Sequence, residues 1–172
     1  MSELIIRDML RSDAKRVAEI SANSWKFAYR GLMPDLVLDN IDIQKREINW
    51  REGFDTLPNL IRIVACENNQ VIGFESGRDF REEDSQFKGE LWAIYVEPEY
   101  MGKGVGKALM QEFKLRLRTL EFKEMYVWVL HNNKQAQQFY QKNAGQLTEK
   151  TKFFSIDGHD LKEVCYKFTL EV

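Results

Sequence analysis

The sequence predicts a mixed α/β (α+β) fold with seven strands and four helices, in the order β-α-α-β-β-β-α-β-α-β-β. The first observation is a pair of β-rich runs within residues 60–78, separated by the sequence Glu-Asn-Asn-Gln at 67–70, which indicates an antiparallel hairpin. The second is the apolar run 125–130, which does not alternate and is typical of a strand buried on both faces. A helical segment separates it from the apolar run 91–96, and this strand-helix-strand order implies parallel pairing of the two strands.

Turn and capping residues delimit the other elements. Ser12 or Asp13 can cap a helix that Gly31 ends, and Pro34 at a first-turn position starts a second helical region. Residues 105–120 carry apolar side chains at three- and four-residue spacing, the pattern of an amphipathic helix. A first strand is predicted at 4–6, and the second helical region is expected to break near residue 40 and to resume over 42–53. A charged turn is predicted at 81–89, and a helix capped by Asn133 should end near residue 143. The last two strands are predicted at 146–154 and 161–170, joined by an Asp-Gly turn.

Composition predicts one globular domain that spans residues 1–172. The chain has 172 residues, of which 44% are hydrophobic and 30% charged, and a net charge of −2. Neither sign of charge dominates a long stretch, so we expect no nucleic-acid partner. No apolar segment approaches the ~20 residues of a membrane span, and the first ten residues do not resemble a signal peptide. We therefore expect a cytoplasmic protein with no membrane partner.

The cysteines and histidines give no sign of a disulfide or a metal site. Cys66 and Cys165 each lie inside a strand-like apolar run rather than at the spacing of paired ligands, so we predict buried, reduced thiols. His131 and His159 have no Cys or His nearby that could share a metal ion. The sequence therefore predicts no metal cofactor.

Three alternate glycines, Gly102, Gly104 and Gly106, lie between the apolar run 91–96 and the amphipathic helix. Glycine has no Cβ, so the backbone can approach an anion closely and direct several N–H groups into one concavity, and the helix N-terminus adds partial positive charge. A P-loop would need glycine at position 101 and serine or threonine at 108, and a dinucleotide fingerprint would need glycine at 107 or 109. The chain meets neither requirement. The loop is therefore an anion cradle of another kind or a tight strand-to-helix turn.

A second pattern lies in the predicted helix that Asn133 caps. Ala136, Phe139 and Tyr140 are three and four residues apart, so they share one helix face. Such a face is typical of core packing. From the residues alone, Tyr140 is either a buried core side chain or a functional group.

Together the two patterns resemble those of the GNAT superfamily of N-acyltransferases. In that family a strand ends in Val-x-Pro and is followed by Arg/Gln-x-x-Gly-x-Gly/Ala at a helix start; Val96, Pro98, Gly104 and Gly106 match, whereas Met101 replaces the Arg or Gln. The second pattern resembles the family's Asn-x-x-Ala-x-x-Phe-Tyr-x-x-x-Gly, with the glycine displaced by one place. The element order resembles the family's over nearly the whole chain. The resemblance implies a mostly antiparallel seven-stranded sheet with a central, splayed pair of parallel strands.

The resemblance also implies acetyl-CoA as the acetyl donor and roles for individual residues. Asn133 is expected to contact the pantetheine arm of the cofactor or an ordered water, and Tyr140 to lie beside the thioester sulfur as general acid. A phenol titrates near ~10 and a thiol near ~8.5, so that proton transfer is uphill by about 2 kcal/mol and hydrogen-bond donation is the main role expected of Tyr140. The residues implied to bind the cofactor, largely through main-chain N–H groups, are Ile94, Tyr95, Val96, Met101, Gly102, Lys103, Gly104, Val105, Gly106, Lys107 and Asn133.

An amine acceptor must lose a proton before it can react. An alkylammonium with a pKa of about 10.4 is free base in only roughly one molecule per few thousand at neutral pH. Glu90, just before the strand that leads to the loop, is the candidate base acting through water, with an exposed strand-end glutamate as the equal alternative; Glu75 on the neighbouring strand is the reserve. The residues expected to contact the acceptor are Trp25, Tyr29 and Arg30. Trp25 also lies on the face of its predicted helix that carries the apolar residues expected to form the core. We interpret Trp92 and Trp128 as structural.

The resemblance implies an N-acetyltransferase that binds both substrates together and transfers the acetyl group directly to a primary amine. A small-molecule amine such as a polyamine is the leading acceptor; a protein N-terminus, a lysine side chain and an aminoglycoside are alternatives. A non-catalytic acyl-CoA sensor is an alternative of another class. A nucleotide-binding regulator is disfavoured by the failed phosphate fingerprints. The sequence leaves a homodimer open.

Overall fold

Seven strands and five helices follow one another in the computed structural model, which describes residues 3–81 and 88–170. The predicted second helical region is two helices, because the chain breaks after Asn40 as its sequence indicates. The elements are β1 (Leu4–Asp8), α1 (Ala14–Tyr29), α2 (Asp35–Asp39), α3 (Ile43–Thr56), β2 (Ile61–Glu67), β3 (Gln70–Asp79), β4 (Lys88–Val96), α4 (Val105–Thr119), β5 (Glu124–Leu130), α5 (Lys134–Lys142), β6 (Gln146–Ile156) and β7 (His159–Thr169).

All seven strands form one sheet in the order β1-β2-β3-β4-β5-β7-β6. The pair β4–β5 is parallel and every other neighbouring pair is antiparallel, which confirms the predicted fold class. Both predicted hairpin turns are tight. Asn68 and Asn69 have φ of 50° and 62°, and Asp157 and Gly158 have φ of 50° and 74°. Consecutive left-handed residues of these types are what a two-residue hairpin loop requires.

Strand β4 begins earlier than the sequence indicates. The predicted charged turn at 81–89 includes Lys88 and Gly89, but the structure places both in β4, where they pair with Glu124 and Met125 of β5. Residues 82–87 of that predicted turn lie outside the described residues.

The two central strands pair only over their first halves. Residues Lys88 to Leu91 of β4 pair with Glu124 to Val127 of β5, and the register ends there although both strands continue. On the other side of β4, the register with β3 shifts so that Trp92 is an extra, unpaired residue. A bulge of this kind bends a strand and increases its twist. Beyond Leu91, β4 and β5 therefore separate and leave main-chain groups of β4 without ladder partners in β5.

Helices cover both faces of the sheet. The amphipathic helix α4 and helix α5 pack on one face through buried residues such as Leu109, Phe113 and Tyr140, whereas α1 packs on the other face against Val64 and Phe74. The side chains of both cysteines are buried, as predicted. No helix among the residues 3–81 and 88–170 is long and apolar enough to cross a membrane.

The displaced glycine after α5 has a structural explanation. Ala144, with φ of 69°, takes the left-handed position where glycine is most common. The N–H groups of Ala144 and Gly145 donate to the carbonyls of Gln141 and Tyr140, at 3.1 and 2.8 Å, which is the hydrogen-bond pattern of a Schellman closure. A Cβ on Gly145 would lie 2.7 Å from the ring of Phe168. Glycine is therefore required one place later by close packing rather than by φ.

Candidate functional site

A cleft with a volume of about 510 Å³ occupies the gap where β4 and β5 separate. Because α1 lies on one face of the sheet and α4 and α5 on the other, a cleft that touches all three passes between the strands. Its lining residues are Ser24, Ala28, Tyr29, residues 91–96, Met101, Gly102, Gly104, Gly106, Lys107, residues 127–130, Asn133, Gln135, Ala136, Phe139, Tyr140, Lys142, Asn143 and Glu163. The cleft therefore has two connected parts. The first part lies beside the glycine loop and Tyr140, and the other, called the second chamber below, lies beside α1 and β7.

The glycine loop forms one wall of the cleft. Gly102 and Gly104 have φ of 76° and 88°, and a Cβ on either would meet nothing within 4 Å. Glycine is therefore favoured at both positions by the left-handed backbone, and the absence of a Cβ leaves open space in front of that backbone. The first N–H groups of α4 have no partner within the helix, and together with the helix dipole they favour an anion at this end of the helix. Lys107 and Lys142 also line the cleft, so the charge of this wall suits a phosphate-bearing ligand.

Three residues of the predicted cofactor-binding set have side-chain surroundings that do not favour contact with a cofactor. Met101 lines the cleft but is half-buried against the core, so its side chain packs where a polar one is usual in the family. Val105 is 4% exposed and belongs to the core under α4, and Lys103 places its ammonium 5.2 Å from the ring centroid of Tyr100. Neither Val105 nor Lys103 is among the lining residues. The other predicted members of the set all line the cleft.

Asn133 and Tyr140 lie on the α5 side of the cleft. The Oδ1 atom of Asn133 accepts a hydrogen bond of 3.0 Å from the N–H of Ala136, which caps the helix as predicted. Within residues 3–81 and 88–170, the hydroxyl of Tyr140 forms no hydrogen bond. Burial raises the pKa of Tyr140, and the nearby Tyr95 and Glu75 raise it further. Tyr140 is therefore a neutral phenol whose O–H is available to a ligand.

Aromatic residues form the second chamber. Tyr29 and Tyr95 line it with their hydroxyl oxygens 3.5 Å apart. Trp25 is not a lining residue; its Nε1–H donates to the Tyr95 hydroxyl at 2.9 Å, and its ring meets that of Tyr29 edge-on. Burial raises the pKa of Tyr29 and of Tyr95, and the negative charge of Glu163 adds to both shifts. Trp25 thus positions the two tyrosines, which remain protonated.

Three lining residues differ from the predictions made from the sequence. The sequence predicts no role for Glu163, and it indicates structural roles for Trp92 and Trp128. Along β7, Glu163 lies on the same face as Leu161, Cys165 and Lys167. This row mixes apolar and charged residues, so the sequence gives no signal that the Glu163 carboxylate lines a cleft. The sequence likewise gives no signal that the β4 bulge places Trp92 beside the gap.

Glu90 is not placed to act as a base in this cleft. It is 1% exposed and lies outside the lining residues. Its carboxylate forms an ion pair with the guanidinium of Arg81 and accepts a 3.0 Å hydrogen bond from the N–H of the same residue. The Arg81 guanidinium in turn lies 4.6 Å from the ring centroid of Trp92. We therefore revise the prediction: Glu90 is a buried ion-pair partner that supports the bulge.

Arg30 also lies away from the cleft. Its exposed guanidinium forms ion pairs with Asp35 and Asp39 at 2.9 and 2.7 Å, which connect the end of α1 to α2. The predicted role of Arg30 in acceptor binding is revised accordingly, whereas Tyr29 one residue earlier does line the cleft.

Glu75 is a fully buried carboxyl behind the cleft rather than part of its lining. Neither carboxyl oxygen has a hydrogen-bond partner among residues 3–81 and 88–170. Burial raises the pKa of Glu75 well above its ordinary value, and the positive charge of Lys114 offsets this in part. The ammonium of Lys114 itself donates to the carbonyl of Asn143 at 3.0 Å. Burial therefore favours the neutral form of Glu75.

Glu75 should make the folded state less stable as pH rises. Its pKa is higher folded than unfolded, so the folded state keeps a proton that the unfolded state releases; the associated stability is present below the unfolded pKa and is lost as pH rises toward the folded one. Replacement Glu75→Leu should raise the free energy of unfolding near neutral pH by about 1–3 kcal/mol, because it removes an unsatisfied buried polar group. Urea denaturation from about pH 5 to about pH 8 measures both effects.

Glu75→Gln is the matched control, since it removes the titration but keeps a buried polar group. It should flatten the same part of the pH profile, with little gain in stability toward acidic pH, where the Glu75 carboxyl becomes protonated in both states. Parallel profiles for the wild type and both variants would show that Glu75 is solvated in the folded protein.

Within the ranges 3–81 and 88–170, no group of three or more His, Cys, Asp or Glu side chains could hold a metal ion. The described lining residues of the cleft carry phenols, indoles, amides, two lysine ammonium groups and one carboxylate, that of Glu163.

Comparisons with known proteins agree with the resemblance in the sequence. The model of the acetyltransferase (GNAT) family matches residues 19–146. The uncharacterized N-acetyltransferase YuaI of Bacillus subtilis (strain 168) is 30% identical over 159 residues, which cover 92% of this chain and 89% of that protein. The spermidine N(1)-acetyltransferase of Thermoplasma acidophilum is 26% identical over 142 residues, covering 80% of this chain and 85% of that protein.

Solved structures share the fold. The PaiA N-acetyltransferase of Thermoplasma acidophilum in complex with coenzyme A superposes with a TM-score of 0.76 at 21% identity, covering 97% of this chain and 99% of that one. YncA of Salmonella typhimurium with acetyl-CoA gives a TM-score of 0.73 at 22% identity, covering 98% and 94%. With the family match over most of the chain, these observations lead to one conclusion: the chain belongs to the acetyltransferase (GNAT) family and is an N-acetyltransferase that uses acetyl-CoA.

Proposed function

We propose that the protein transfers the acetyl group of acetyl-CoA directly to a primary amine of a small molecule, with both substrates bound in the one cleft. The observation that carries the proposal is the continuity of that cleft. It connects the glycine loop with the chamber of Tyr29, Tyr95 and Glu163 through the gap between β4 and β5, and Tyr140 lines it too. Holding two reactants side by side removes much of the entropic barrier to their reaction.

The residues of the loop side fit the cofactor. Gly102 and Gly104 leave open space before a left-handed backbone, and Lys107 and Lys142 add positive charge; together they suit a pyrophosphate. Main-chain groups of residues 94–96, which have no ladder partner in β5, suit the amides of the pantetheine arm. When bound, acetyl-CoA supplies the activated acetyl thioester.

Tyr140 is proposed to donate its hydroxyl proton as a hydrogen bond to the departing thiolate. Burial keeps the phenol neutral, and no described residue competes for the O–H. Its high pKa makes complete proton transfer to a thiolate unfavourable. Stabilisation of the developing charge by a hydrogen bond is therefore the contribution expected of it.

The proton of the acceptor amine is proposed to leave to water in the cleft. Glu90 is held by Arg81 and Glu75 lies outside the lining, so neither is placed to receive it. Glu163 is the one carboxylate among the described lining residues. We assign to Glu163 the attraction of a cationic acceptor, because its negative charge lies in a chamber with aromatic walls.

A small acceptor fits the second chamber better than a macromolecule. Tyr29, Tyr95 and Trp128 enclose it, and the whole cleft, which must also hold the end of the cofactor, is about 510 Å³. The similarity to a spermidine N(1)-acetyltransferase supports a polyamine-like amine. A protein N-terminus, a lysine side chain and an aminoglycoside remain competing acceptors.

The experiment is thiol release from acetyl-CoA with a panel of polyamines, simple alkylamines, amino acids, aminoglycosides and lysine peptides. The proposal predicts turnover with the small cationic amines above all others. A flat response across the panel would contradict the small-amine assignment, and binding of acetyl-CoA without thiol release for any amine would favour a non-catalytic acyl-CoA sensor.

A further inference from the structure

The chain already places one ammonium group beside the acceptor chamber. The Nζ atom of Lys152 lies 4.2 Å from the ring centroid of Trp128 and 3.6 Å from Oε2 of Glu163. Trp128 and Glu163 both line the cleft, whereas Lys152 does not. A cation from outside the lining therefore occupies a position between an indole face and a carboxylate that belong to the site.

The strand register explains how the three side chains meet. Lys152 of β6 is paired with Glu163 of β7, and Trp128 of β5 is paired with the neighbouring Cys165. Residues two apart on one strand lie on the same face, so Glu163 and Cys165 share a face. Because directly paired residues also share a face, Trp128 and Lys152 flank Glu163 on that face. The sheet thus builds a carboxylate with an indole on one side and a lysine on the other.

This combination is a recognition site for a compact cation. An indole face attracts an ammonium through its quadrupole, and a carboxylate adds charge and hydrogen-bond acceptors. The side chain of Glu163 is only 19% exposed, so its charge is weakly screened, whereas that of Lys152 is 40% exposed. Lys152 also lies on the edge strand of the sheet. A partly exposed ion pair of this kind contributes little to stability, so the lysine can be displaced by another cation.

We propose that Glu163 and Trp128 form a subsite for the second ammonium of a dicationic acceptor, and that Lys152 is a built-in cation that competes for this subsite and sets the preference between dications and monocations. The proposal rests on the proposed function, since it assumes that the second chamber takes the amine. The reacting amine must be neutral near Tyr140, whereas the second ammonium keeps its charge beside Glu163. The acceptor class is then a linear diamine or polyamine.

Kinetics with a linear α,ω-diamine and the monoamine of the same chain length test the proposal. The measured quantity is the ratio of kcat/KM for the diamine to that for the monoamine. Lys152→Met should raise the ratio about threefold to fivefold, because it removes the competing charge and keeps the aliphatic bulk. Glu163→Gln should lower the ratio about tenfold, whatever it does to kcat with both amines. Lys150→Met, on the same strand with its ammonium 5.7 Å from the ring centroid of Phe80, should leave the ratio unchanged.

Equilibrium binding of the same two amines to the protein saturated with CoA separates this proposal from the proposed function. Diamine binding that Lys152→Met strengthens and Glu163→Gln weakens, without thiol release, would support the subsite and overturn the activity. Turnover of both amines with the same ratio in all variants would support the activity and overturn the subsite. Neither binding nor turnover would overturn both.

Discussion

Replacement Tyr140→Phe should lower kcat about 100-fold while changing KM for acetyl-CoA by less than about threefold, as removal of a hydrogen-bond donor to the leaving group does. The hydroxyl forms no hydrogen bond with a described residue, so its loss removes none from the fold. The ring keeps its neighbours Phe139, Tyr166 and Phe168, whose centroids lie 5.5–6.2 Å away. The defect should therefore appear in turnover rather than in stability. Steady-state thiol release and thermal denaturation of the same preparation measure the two quantities.

Tyr166→Phe provides the matched control. The hydroxyl of Tyr166 donates to Oε1 of Gln137 at 3.4 Å and accepts from Nε2 of Gln141 at 3.1 Å, and Tyr166 is not a lining residue. Its loss should reduce stability slightly and leave kcat unchanged. If Tyr140→Phe retains the turnover number of the wild type, Tyr140 has no part in the mechanism and is a core residue.

Replacement Gly77→Ala should destabilise the protein by at least about 3 kcal/mol, because the new methyl group would overlap backbone that cannot move away. A Cβ on Gly77 would overlap the carbonyl oxygen of Glu90 and lie 2.9 Å from the ring of Phe113. Gly77 is paired at the bulge that leaves Trp92 without a partner. The substitution should therefore disturb both the core and the point from which β4 and β5 separate.

Gly158→Ala measures the cost of a left-handed alanine without the steric overlap expected at Gly77. Gly158 has φ of 74°, but a Cβ there would meet nothing within 4 Å, so this variant should lose only about 1 kcal/mol, the cost of a left-handed alanine. Urea denaturation compares the two variants directly, and acetyl-CoA binding reports on the cleft. Equal losses of stability would mean that the close approach at Gly77 relaxes without cost.

Local chemistry made much of the fold predictable. Asn68-Asn69 and Asp157-Gly158 can adopt left-handed conformations that few other residue pairs tolerate, so their hairpins are visible in the sequence. Asn133 is followed by a helix whose third N–H it caps. The separation of β4 and β5 depends instead on Gly77 and Trp92, which lie on different strands. Only the resemblance to a family suggested it, since no local pattern encodes the distance between two strands.

The same distinction explains the site. The sequence shows the glycines of the loop, and two of them have the positive φ angles that favour glycine; the structure places the loop on the cleft. The roles of Glu90 and Arg30 depend on partners that folding brings to them, Arg81 in one case and Asp35 and Asp39 in the other. The sequence does not show whether a carboxylate or a guanidinium forms an ion pair in the folded protein. Glu163 was missed because its position on the cleft depends on the pairing of β7 with β5.

The most direct test of one cleft holding both substrates is the affinity of a bisubstrate analogue, CoA joined through an acetyl linker on its sulfur to a linear diamine. Linking two groups that bind adjacent subsites raises affinity without new contacts. Calorimetry should give a Kd about 100-fold below that of CoA alone, and Glu163→Gln should remove most of that gain. An analogue that binds no more tightly than CoA would contradict the account, because the amine would then have no site beside the cofactor.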